Sequence, residues 1–360
     1  MDPRGLSRVH LPRVRSVPLP IGFIRGRASL AVFNPPTVLD AQGLLDKAFH
    51  RASKATSSKG RNRIERGRNL AVAKIQTAAD VLTSALERYT KGFPSLDRIP
   101  PFYRELIDAT VGVLALRKNL AAINWARTKI RELQKAYPRR IQHAGSPQAI
   151  AGIRSEAFGR FSSVIKQIAN ALKGLQDARF HLRHFPDIDP ELPTIVVAGY
   201  PNVGKSQFMR SVSSGKPRVA PYPFTTKGVS VGHLEIRYSR YQVIDTPGLL
   251  DRPMEKRNPM ERQAIAALAH LADLVVFLLD PSETCGYDLP AQLRLLDEVR
   301  TRFPEAPILV VENKCDILRA ETDRPKVSAL TGEGVTEILA DAIRLATSHV
   351  PAAAPPLGSG

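Results

Sequence analysis

The chain has 360 residues, 43% hydrophobic and 24% charged, so it is long enough for two domains with a core each. No apolar run approaches the roughly 20 residues that cross a bilayer, and prolines interrupt the arginine-rich first residues, so neither a membrane span nor a signal peptide is predicted. Two cysteines, Cys285 and Cys315, do not make a disulfide framework, which favours a reducing compartment.

The net charge of +18 comes entirely from the first half of the chain. Residues 1–190 carry an excess of 19 positive charges, whereas residues 191–360 carry a net charge of −1. Such asymmetry is typical of a chain in which one domain meets a polyanion. Nucleic acid is the favoured polyanion, an anionic membrane surface is the second, and a merely soluble basic surface is the third interpretation.

The first half reads as an arm followed by helices. Residues 1–36 are rich in Pro, Gly and Arg without a period and are expected to be a basic, disordered arm. From 37 to 185, apolar residues recur at helical spacing, which predicts an all-α domain built as an antiparallel bundle. The positive charge of this region predicts that the domain binds RNA. Ser146 before Pro147 predicts a helix start, and the apolar face that follows predicts one continuous helix as far as Leu182.

Basic residues concentrate in one part of this helical region. Six of them, interrupted by only one acidic residue, are the best candidates for RNA contacts: Lys59, Arg61, Arg63, Arg66, Arg68 and Lys74. The pairs Arg117-Lys118 and Arg139-Arg140 are weaker candidates. Trp125 falls away from the apolar stripe of its helix and could stack on a base, although a second packed face is the favoured interpretation.

A proline-rich linker, residues 186–193, separates this region from a different pattern. Short apolar runs then alternate with helical segments up to residue 350, which predicts a mostly parallel sheet flanked by helices. The predicted strands are Thr194–Ala198, Tyr241–Ile244, Leu274–Leu279 and Ile308–Val311. Residues 351–360 are low in complexity and are expected to be a disordered tail. The predicted fold is therefore an antiparallel helical bundle followed by an α/β domain at 194–350.

The first apolar run ends in a G-x-x-x-x-G-K-S segment. Its glycines let backbone N–H groups curl around phosphates, and the following helix points its N-terminus at them. Lys205 is expected to reach the β- and γ-phosphates, and the Ser206 hydroxyl to ligate Mg²⁺. The expected nucleotide contacts are Gly199, Tyr200, Pro201, Asn202, Val203, Gly204, Lys205, Ser206 and Gln207.

Two further segments are expected around the phosphates. The sequence D-T-P-G follows the second apolar run, so Asp245 can hold Mg²⁺ through water and the Gly248 N–H can sense a γ-phosphate. Between the two lies Phe224-Thr225-Thr226, where a threonine can close onto Mg²⁺ when a γ-phosphate is bound and so form a switch. Thr226 is the favoured ligand and Thr225 the alternative, and an ordinary proline-rich surface loop is the competing interpretation.

The sequence N-K-C-D after the last apolar run predicts a guanine site. The Asp316 carboxylate can accept two hydrogen bonds from the N1–H and N2–H₂ edge of guanine, which adenine lacks, so GTP is predicted over ATP. Asn313 and Lys314 belong to the same site, and the stem of Lys314 would cover the base plane. A backbone N–H for guanine O6 is expected from the segment Ser328, Ala329 and Leu330. Together these segments predict that residues 194–350 form a P-loop GTPase domain.

With these segments in place, the chain resembles the nucleolar GTP-binding protein 1 family, in the short form that archaea carry, a branch of the Obg-related GTPases. The resemblance runs from about Pro36 to Val350. The segments that carry it are Pro100–Asp108, Ala198–Ser206, Asp245–Pro253 and Asp280–Tyr287. It implies assembly of the large ribosomal subunit, with the helical domain on ribosomal RNA and the nucleotide state switching its affinity. Gln207 stands where Ser or Thr is commoner, a small departure. The eukaryotic C-terminal extension is lacking, so a cytoplasmic protein is expected.

The catalytic step differs from that of Ras-like enzymes, which orient water with a glutamine after the Asp-x-x-Gly turn. Leu249 stands there and cannot position water. The resemblance implies that K⁺ beside the phosphates, held partly by Asn202, offsets the developing charge, whereas a loop-shaping role without an ion is the alternative for Asn202. Slow, K⁺-stimulated GTP hydrolysis is expected, with Lys205, Thr226, Gly248 and Asn202 as its catalytic residues.

A nucleotide-gated membrane-surface adaptor, with basic helices lying on anionic lipid, is the runner-up function. Apolar faces rich in Trp, Phe and Leu opposite the basic clusters are lacking, so no stable membrane association is expected.

Overall fold

The computed structural model describes residues 33–348 except 59, 187, 216, 221, 223–227, 237, 238, 254 and 256. Within that part of the chain, six α-helices precede the first strand: α1 (Ala41–Ser53), α2 (Arg63–Gly92), α3 (Pro101–Thr110), α4 (Val113–Gln142), α5 (Pro147–Gln167) and α6 (Ala169–Leu182). Residues 1–32 of the predicted arm 1–36, the tail 351–360 and Lys59 lie outside the described residues.

The two longest helices form the centre of the bundle. Helices α2 and α4 have 30 residues each, which corresponds to about 45 Å of length. They run antiparallel, because Arg131 reaches Glu87 while Gln134 reaches Asp80, so positions advance along one helix as they recede along the other. Apolar residues that recur at helical spacing, Ile75 among them, are fully buried in the core of the bundle. The predicted antiparallel bundle is therefore confirmed.

The predicted continuous helix from Ser146 to Leu182 is wrong at its centre. Ser146 caps α5 as predicted, since its Oγ accepts a hydrogen bond from the Ala149 N–H. At Ile168, however, the N–H donates to the Ile165 carbonyl three residues earlier, and the helix divides into α5 and α6. Both halves pack on α4, but α5 also packs on α1 and α2, whereas α6 also packs on α3.

Two other features of the bundle correct the sequence interpretation. Trp125 is 42% exposed on α4, so the favoured second packed face does not exist. Arg68 turns inward, since its Nε and Nη2 donate to the Ala144 carbonyl at 3.0 and 2.8 Å and so tie α2 to the end of α4. No described helix is long and apolar enough to span a membrane.

The second half contains a six-stranded sheet in the order β2-β3-β4-β1-β5-β6. Its elements in chain order are β1 (Thr194–Ala198), α7 (Lys205–Val212), β2 (Arg218–Ala220), β3 (Val229–Ile236), β4 (Ser239–Asp245), α8 (Pro259–Ala269), β5 (Leu274–Leu279), α9 (Leu289–Arg302), β6 (Ile308–Glu312) and α10 (Val335–Ser348). Strands β4, β1, β5 and β6 are parallel, while β2 and β3 add antiparallel pairs. This is the predicted P-loop GTPase fold, and the carboxyl ends of its parallel strands meet at one edge.

Helix α3 leaves the bundle and joins the two halves. It packs against α8, and Phe102 and Tyr103 on it are buried. The Tyr103 hydroxyl lies 2.6 Å from the Ile188 carbonyl and 3.0 Å from the Pro186 carbonyl, which holds the linker before β1.

Candidate nucleotide-binding site

The loop between β1 and α7 has the geometry that a phosphate cradle needs. Gly199 and Gly204 have φ of 133° and 102°, which favour glycine. A Cβ at Gly199 would lie 2.5 Å from the Leu278 carbonyl oxygen, and one at Gly204 would lie 2.2 Å from Asn313 Nδ2. Asn202 also has a positive φ, 63°, and its side chain is exposed. The loop therefore brings its backbone close to neighbouring strands while Asn202 faces outward.

Lys205 is buried at the centre of this loop. Its Nζ donates to the carbonyls of Gly199 and Tyr200, each at 2.8 Å. Burial lowers the pKa of Lys205, and the nearby carboxylates of Asp245 and Asp251 oppose that shift. The ammonium is thus held over the loop by carbonyl oxygens, where an incoming phosphate can accept its protons.

Ser206 and Asp245, both predicted to hold Mg²⁺, are in direct contact. The Ser206 Oγ, at the start of α7, donates to Asp245 Oδ2, at the end of β4, at 2.7 Å. Asp245 Oδ1 and Thr246 Oγ1 are buried with no hydrogen-bond partner among the described residues. Burial raises the pKa of Asp245, with Ser206 and Lys205 acting against the shift. An unpartnered buried carboxylate oxygen beside a hydroxyl fits a hard cation with oxygen ligands. Phe224, Thr225 and Thr226 lie outside the described residues.

The turn after β4 places Gly248 and Leu249 in different environments. The Gly248 N–H donates to Asp251 Oδ2 at 2.7 Å, and its carbonyl accepts from Arg257. Leu249 is fully buried and Leu250 is 3% exposed, so both side chains belong to the core. The Leu250 carbonyl accepts the Gly199 N–H, which ties this turn to the phosphate loop. The hydrophobic replacement for glutamine is therefore a packing residue that cannot hold a water.

The base end of the site is built on Asn313. Its Nδ2 donates to the Val203 carbonyl at 2.7 Å and its Oδ1 accepts the Ala329 N–H at 2.9 Å, so one buried amide joins three segments. The Asp316 carboxylate is exposed and has no protein partner within the described residues. The Ser328 N–H donates to the Glu333 carbonyl. Of the three backbone N–H groups in this segment, that of Leu330 has no acceptor in the described part of the chain, whereas the other two are engaged. The Leu330 N–H is therefore available to a ligand.

Residues 280–287 contribute contacts that the sequence interpretation missed. Asp280 is fully buried and accepts from Lys314 Nζ at 2.6 Å, and Lys314 Nζ also donates to Thr284 Oγ1. The Tyr287 ring lies 4.2 Å from that of Tyr200 in the phosphate loop. The family resemblance is the only sequence signal that points to this segment, because no local pattern reveals what its side chains contact.

The predicted RNA candidates divide into free and engaged cations. The side chains of Arg61, Arg63 and Arg66 are exposed and have no ion-pair partner in the described ranges. Arg68 is engaged with Ala144, as described above, and Lys74 is half-buried. The Arg68 contact also brings the start of α2 beside the end of α4, where Arg139 is exposed. This end of the bundle therefore carries exposed arginines without an ion-pair partner in the described ranges: Arg61 just before α2, Arg63 and Arg66 on α2, and Arg139 on α4.

Comparisons with known proteins agree with this arrangement. The model of the NOG1 N-terminal helical domain matches residues 34–189, and that of nucleolar GTP-binding protein 1 (NOG1) matches residues 259–316. An uncharacterized protein of Methanocaldococcus jannaschii is 37% identical over 289 residues, which are 79% of this chain and 81% of that protein. The chain belongs to the nucleolar GTP-binding protein 1 family.

Other members of the nucleolar GTP-binding protein 1 family are longer. The Saccharomyces cerevisiae protein is 36% identical over 305 residues, which are 84% of this chain and 47% of that protein. The chain thus spans about half the length of the curated nucleolar relatives it matches. A crystal structure of nucleolar GTP-binding protein 1 from Plasmodium falciparum is 34% identical, covers 46% of this chain and 91% of that chain, and has a TM-score of 0.40.

Proposed function

We propose that this chain binds and hydrolyses GTP and acts in the assembly of the large ribosomal subunit. The observation that carries the proposal is the convergence of three segments on one edge of the sheet: the phosphate loop, the Ser206–Asp245 contact and the Asn313 amide that joins the base end to that loop. The exposed Asp316 carboxylate, free of protein partners in the described ranges, is available for the guanine edge. The printed name of the relatives supports GTP as the nucleotide.

Mg²⁺ would be held by Ser206 directly, by Asp245 through water and by Thr226, and it would neutralise phosphate charge during transfer to water. Lys205 binds the β- and γ-phosphates, and the Gly248 N–H meets the γ-phosphate. Leu249 is buried and orients no water, so the expected basal hydrolysis is slow. Asn202, exposed beside the loop, is available to hold K⁺, which would add positive charge there.

We propose further that the helical domain contacts ribosomal RNA. The exposed arginines at the bundle end support it, because phosphate contacts supply most of the affinity for nucleic acid. The family name, with its nucleolar members, supports a role in ribosome assembly.

The contact between the two halves supports control of RNA affinity by the nucleotide. Tyr222, three residues before Thr225 in the sequence, is buried, and its hydroxyl donates to the Ala264 carbonyl of α8 at 2.8 Å. The Phe102 ring of α3 lies 6.5 Å from the Tyr222 ring, centroid to centroid, and Asp108 of α3 accepts from Gln263 of α8. Helix α3 therefore contacts α8 and Tyr222, so a change in the predicted switch that follows Tyr222 would reach the bundle through packed side chains.

Two measurements test the proposal on the full chain. Affinities for GTP, GDP and ATP in Mg²⁺ should show guanine preference, and equal affinity for ATP would exclude the proposed base site. RNA crosslinking in cell extract with a GTP analogue should then recover large-subunit ribosomal RNA. Flotation with anionic liposomes, without co-sedimentation with ribosomes, would favour the membrane-surface adaptor instead.

A further inference from the structure

Both backbone groups of Gly248, its N–H and its carbonyl, are engaged in hydrogen bonds. Its N–H donates to Asp251 Oδ2 at 2.7 Å, and its carbonyl accepts from Arg257 Nη1 at 2.9 Å. Gly248 has φ of 86°, and no atom lies within 4 Å of a Cβ added there. The glycine is thus required by its backbone conformation, and that conformation aims its N–H at the Asp251 carboxylate.

The Arg257 side of this arrangement is rigid. The Arg257 side chain is 1% exposed, and its Nη2 donates to the Arg252 carbonyl at 2.7 Å. Helix α8 begins two residues later with a capping box between Asn258 and Glu261, which fixes the backbone at that point. The Gly248 carbonyl is therefore anchored by a buried cation, which holds the backbone of this residue in place.

The Asp251 side faces the phosphate site. Its side chain is 15% exposed. Its negative charge raises the pKa of Lys205, against the effect of burial, and raises the pKa of Asp245, in the same direction as burial. The Gly248 N–H is the donor that the proposed function gives to the γ-phosphate. One N–H makes one strong hydrogen bond, and two anions cannot share it without repelling each other.

We propose that Asp251 sets the preference between GTP and GDP by competing with the γ-phosphate for the Gly248 N–H. A triphosphate displaces the carboxylate from this donor, whereas a diphosphate leaves it in place. Asp251 is thus a specificity-determining residue that lowers the affinity for GTP relative to GDP. The inference rests on the proposed function, since it requires the loop from Gly199 to Ser206 to bind guanine nucleotides.

A simpler role for Asp251 is to stabilise the turn, where its Oδ1 also lies 4.0 Å from Arg257 Nη2. The turn is closed by the Leu249 N–H, which donates to the Thr246 carbonyl, so Asp251 would add to its stability. A residue that stabilises the turn holds the Gly248 N–H in place for the γ-phosphate, so its loss weakens GTP binding as much as or more than GDP binding. Loss of a competitor instead strengthens GTP binding relative to GDP binding. The ratio of the two dissociation constants therefore separates competition from stabilisation.

The test uses the full chain with Mg²⁺ and measures Kd for GDP and for GTPγS, together with Tm, in the wild type, Asp251→Ala and Asp251→Asn. Loss of a charged competitor for one donor should raise the ratio Kd(GDP)/Kd(GTPγS) roughly tenfold in Asp251→Ala. Asp251→Asn keeps an acceptor without charge and should give a smaller rise. The matched control is Asp297→Ala, which removes an exposed carboxylate of α9 paired with Arg300 and should leave the ratio unchanged.

Two results would overturn the inference. An unchanged or lowered ratio Kd(GDP)/Kd(GTPγS) in Asp251→Ala would assign Asp251 to the stability of the turn. A wild-type chain that binds ATP as well as GTP, or neither, would contradict the proposed function itself, and the inference with it.

Discussion

The Asn313 side chain donates to the Val203 carbonyl across 110 positions of sequence, at a distance of 2.7 Å. This hydrogen bond couples the base end of the site to the phosphate loop, and the Ala329 N–H completes the amide's partners. Asn313→Ala leaves a buried carbonyl and a buried N–H unsatisfied, which should cost roughly 1–3 kcal/mol of unfolding free energy. We expect lower Tm and weaker GTP binding together.

Asp316→Ala is the matched control for that variant. The Asp316 side chain is exposed, so its removal should leave Tm unchanged while it weakens GTP binding. Thermal unfolding and nucleotide titration of the two variants check both expectations. Unaltered stability in Asn313→Ala would mean that water replaces the lost partners.

Asp316→Asn should change the preferred base. The amide can donate where the carboxylate only accepts, so the variant should prefer xanthosine triphosphate, whose edge carries a carbonyl in place of the guanine amino group. Both affinities are measured on one preparation, with wild type beside it. A retained preference for GTP would remove Asp316 from the base site.

Hydrolysis should be faster in KCl than in NaCl at equal ionic strength, because buried Leu249 leaves charge stabilisation to another group. Asn202→Gly should remove the difference, since it deletes the side chain while the positive φ of 63° suits glycine. Asn202→Ala should remove it too and should also weaken nucleotide binding through backbone strain. Equal wild-type rates in the two salts would contradict the ion hypothesis and favour a catalytic group supplied by the ribosome.

Replacing Arg61, Arg63 and Arg66 by Ala in the full chain should flatten the dependence of RNA affinity on salt. Each lost phosphate contact lowers the slope of log K against log salt by roughly 0.7–0.9, or about 2–3 for three contacts. Arg68 is left in place because it holds the Ala144 carbonyl. The control removes three cations that are paired with carboxylates and are not RNA candidates, Lys91, Lys129 and Arg131, for the same change in charge. Equal effects of the two triple variants would indicate a diffuse attraction.

Glu156 should make the stability of the helical domain depend on pH. Hydrogen bonds from Arg140 and then Tyr137 lower the pKa of Glu156 to about 2 from an ordinary value of 4.5. A depressed carboxylate pKa stabilises the fold above pH 4.5, and that contribution is lost as the pH falls towards 2. The difference in Tm between wild type and Glu156→Gln should therefore be largest at neutral pH and shrink below pH 4.5. Glu132→Gln serves as a control, and a constant difference across that range would contradict the prediction.

The sequence by itself determined the fold class and the composition of the nucleotide site. Four strands are continuous apolar runs, and a fully buried parallel strand needs nothing from distant residues to be recognised. The phosphate loop and the N-K-C-D segment are equally local, because each needs a fixed spacing of particular residue types. Strand β3 was missed because its burial alternates along the strand and Gly232 interrupts it, a pattern typical of many exposed segments.

The tertiary structure alone decided which side chains are free and which are engaged. Arg68 belongs to the same basic run as Arg66, yet the Ala144 carbonyl, 76 positions away, turns it inward. Trp125 is exposed because no described element covers its face of α4, a fact that its own helix cannot encode. Asp251 lies only three positions from Gly248, but a left-handed turn and the buried Arg257 together aim that N–H at its carboxylate. Residue type and spacing specify the chemistry that a segment can offer, whereas the contacts made across the fold decide where that chemistry is available.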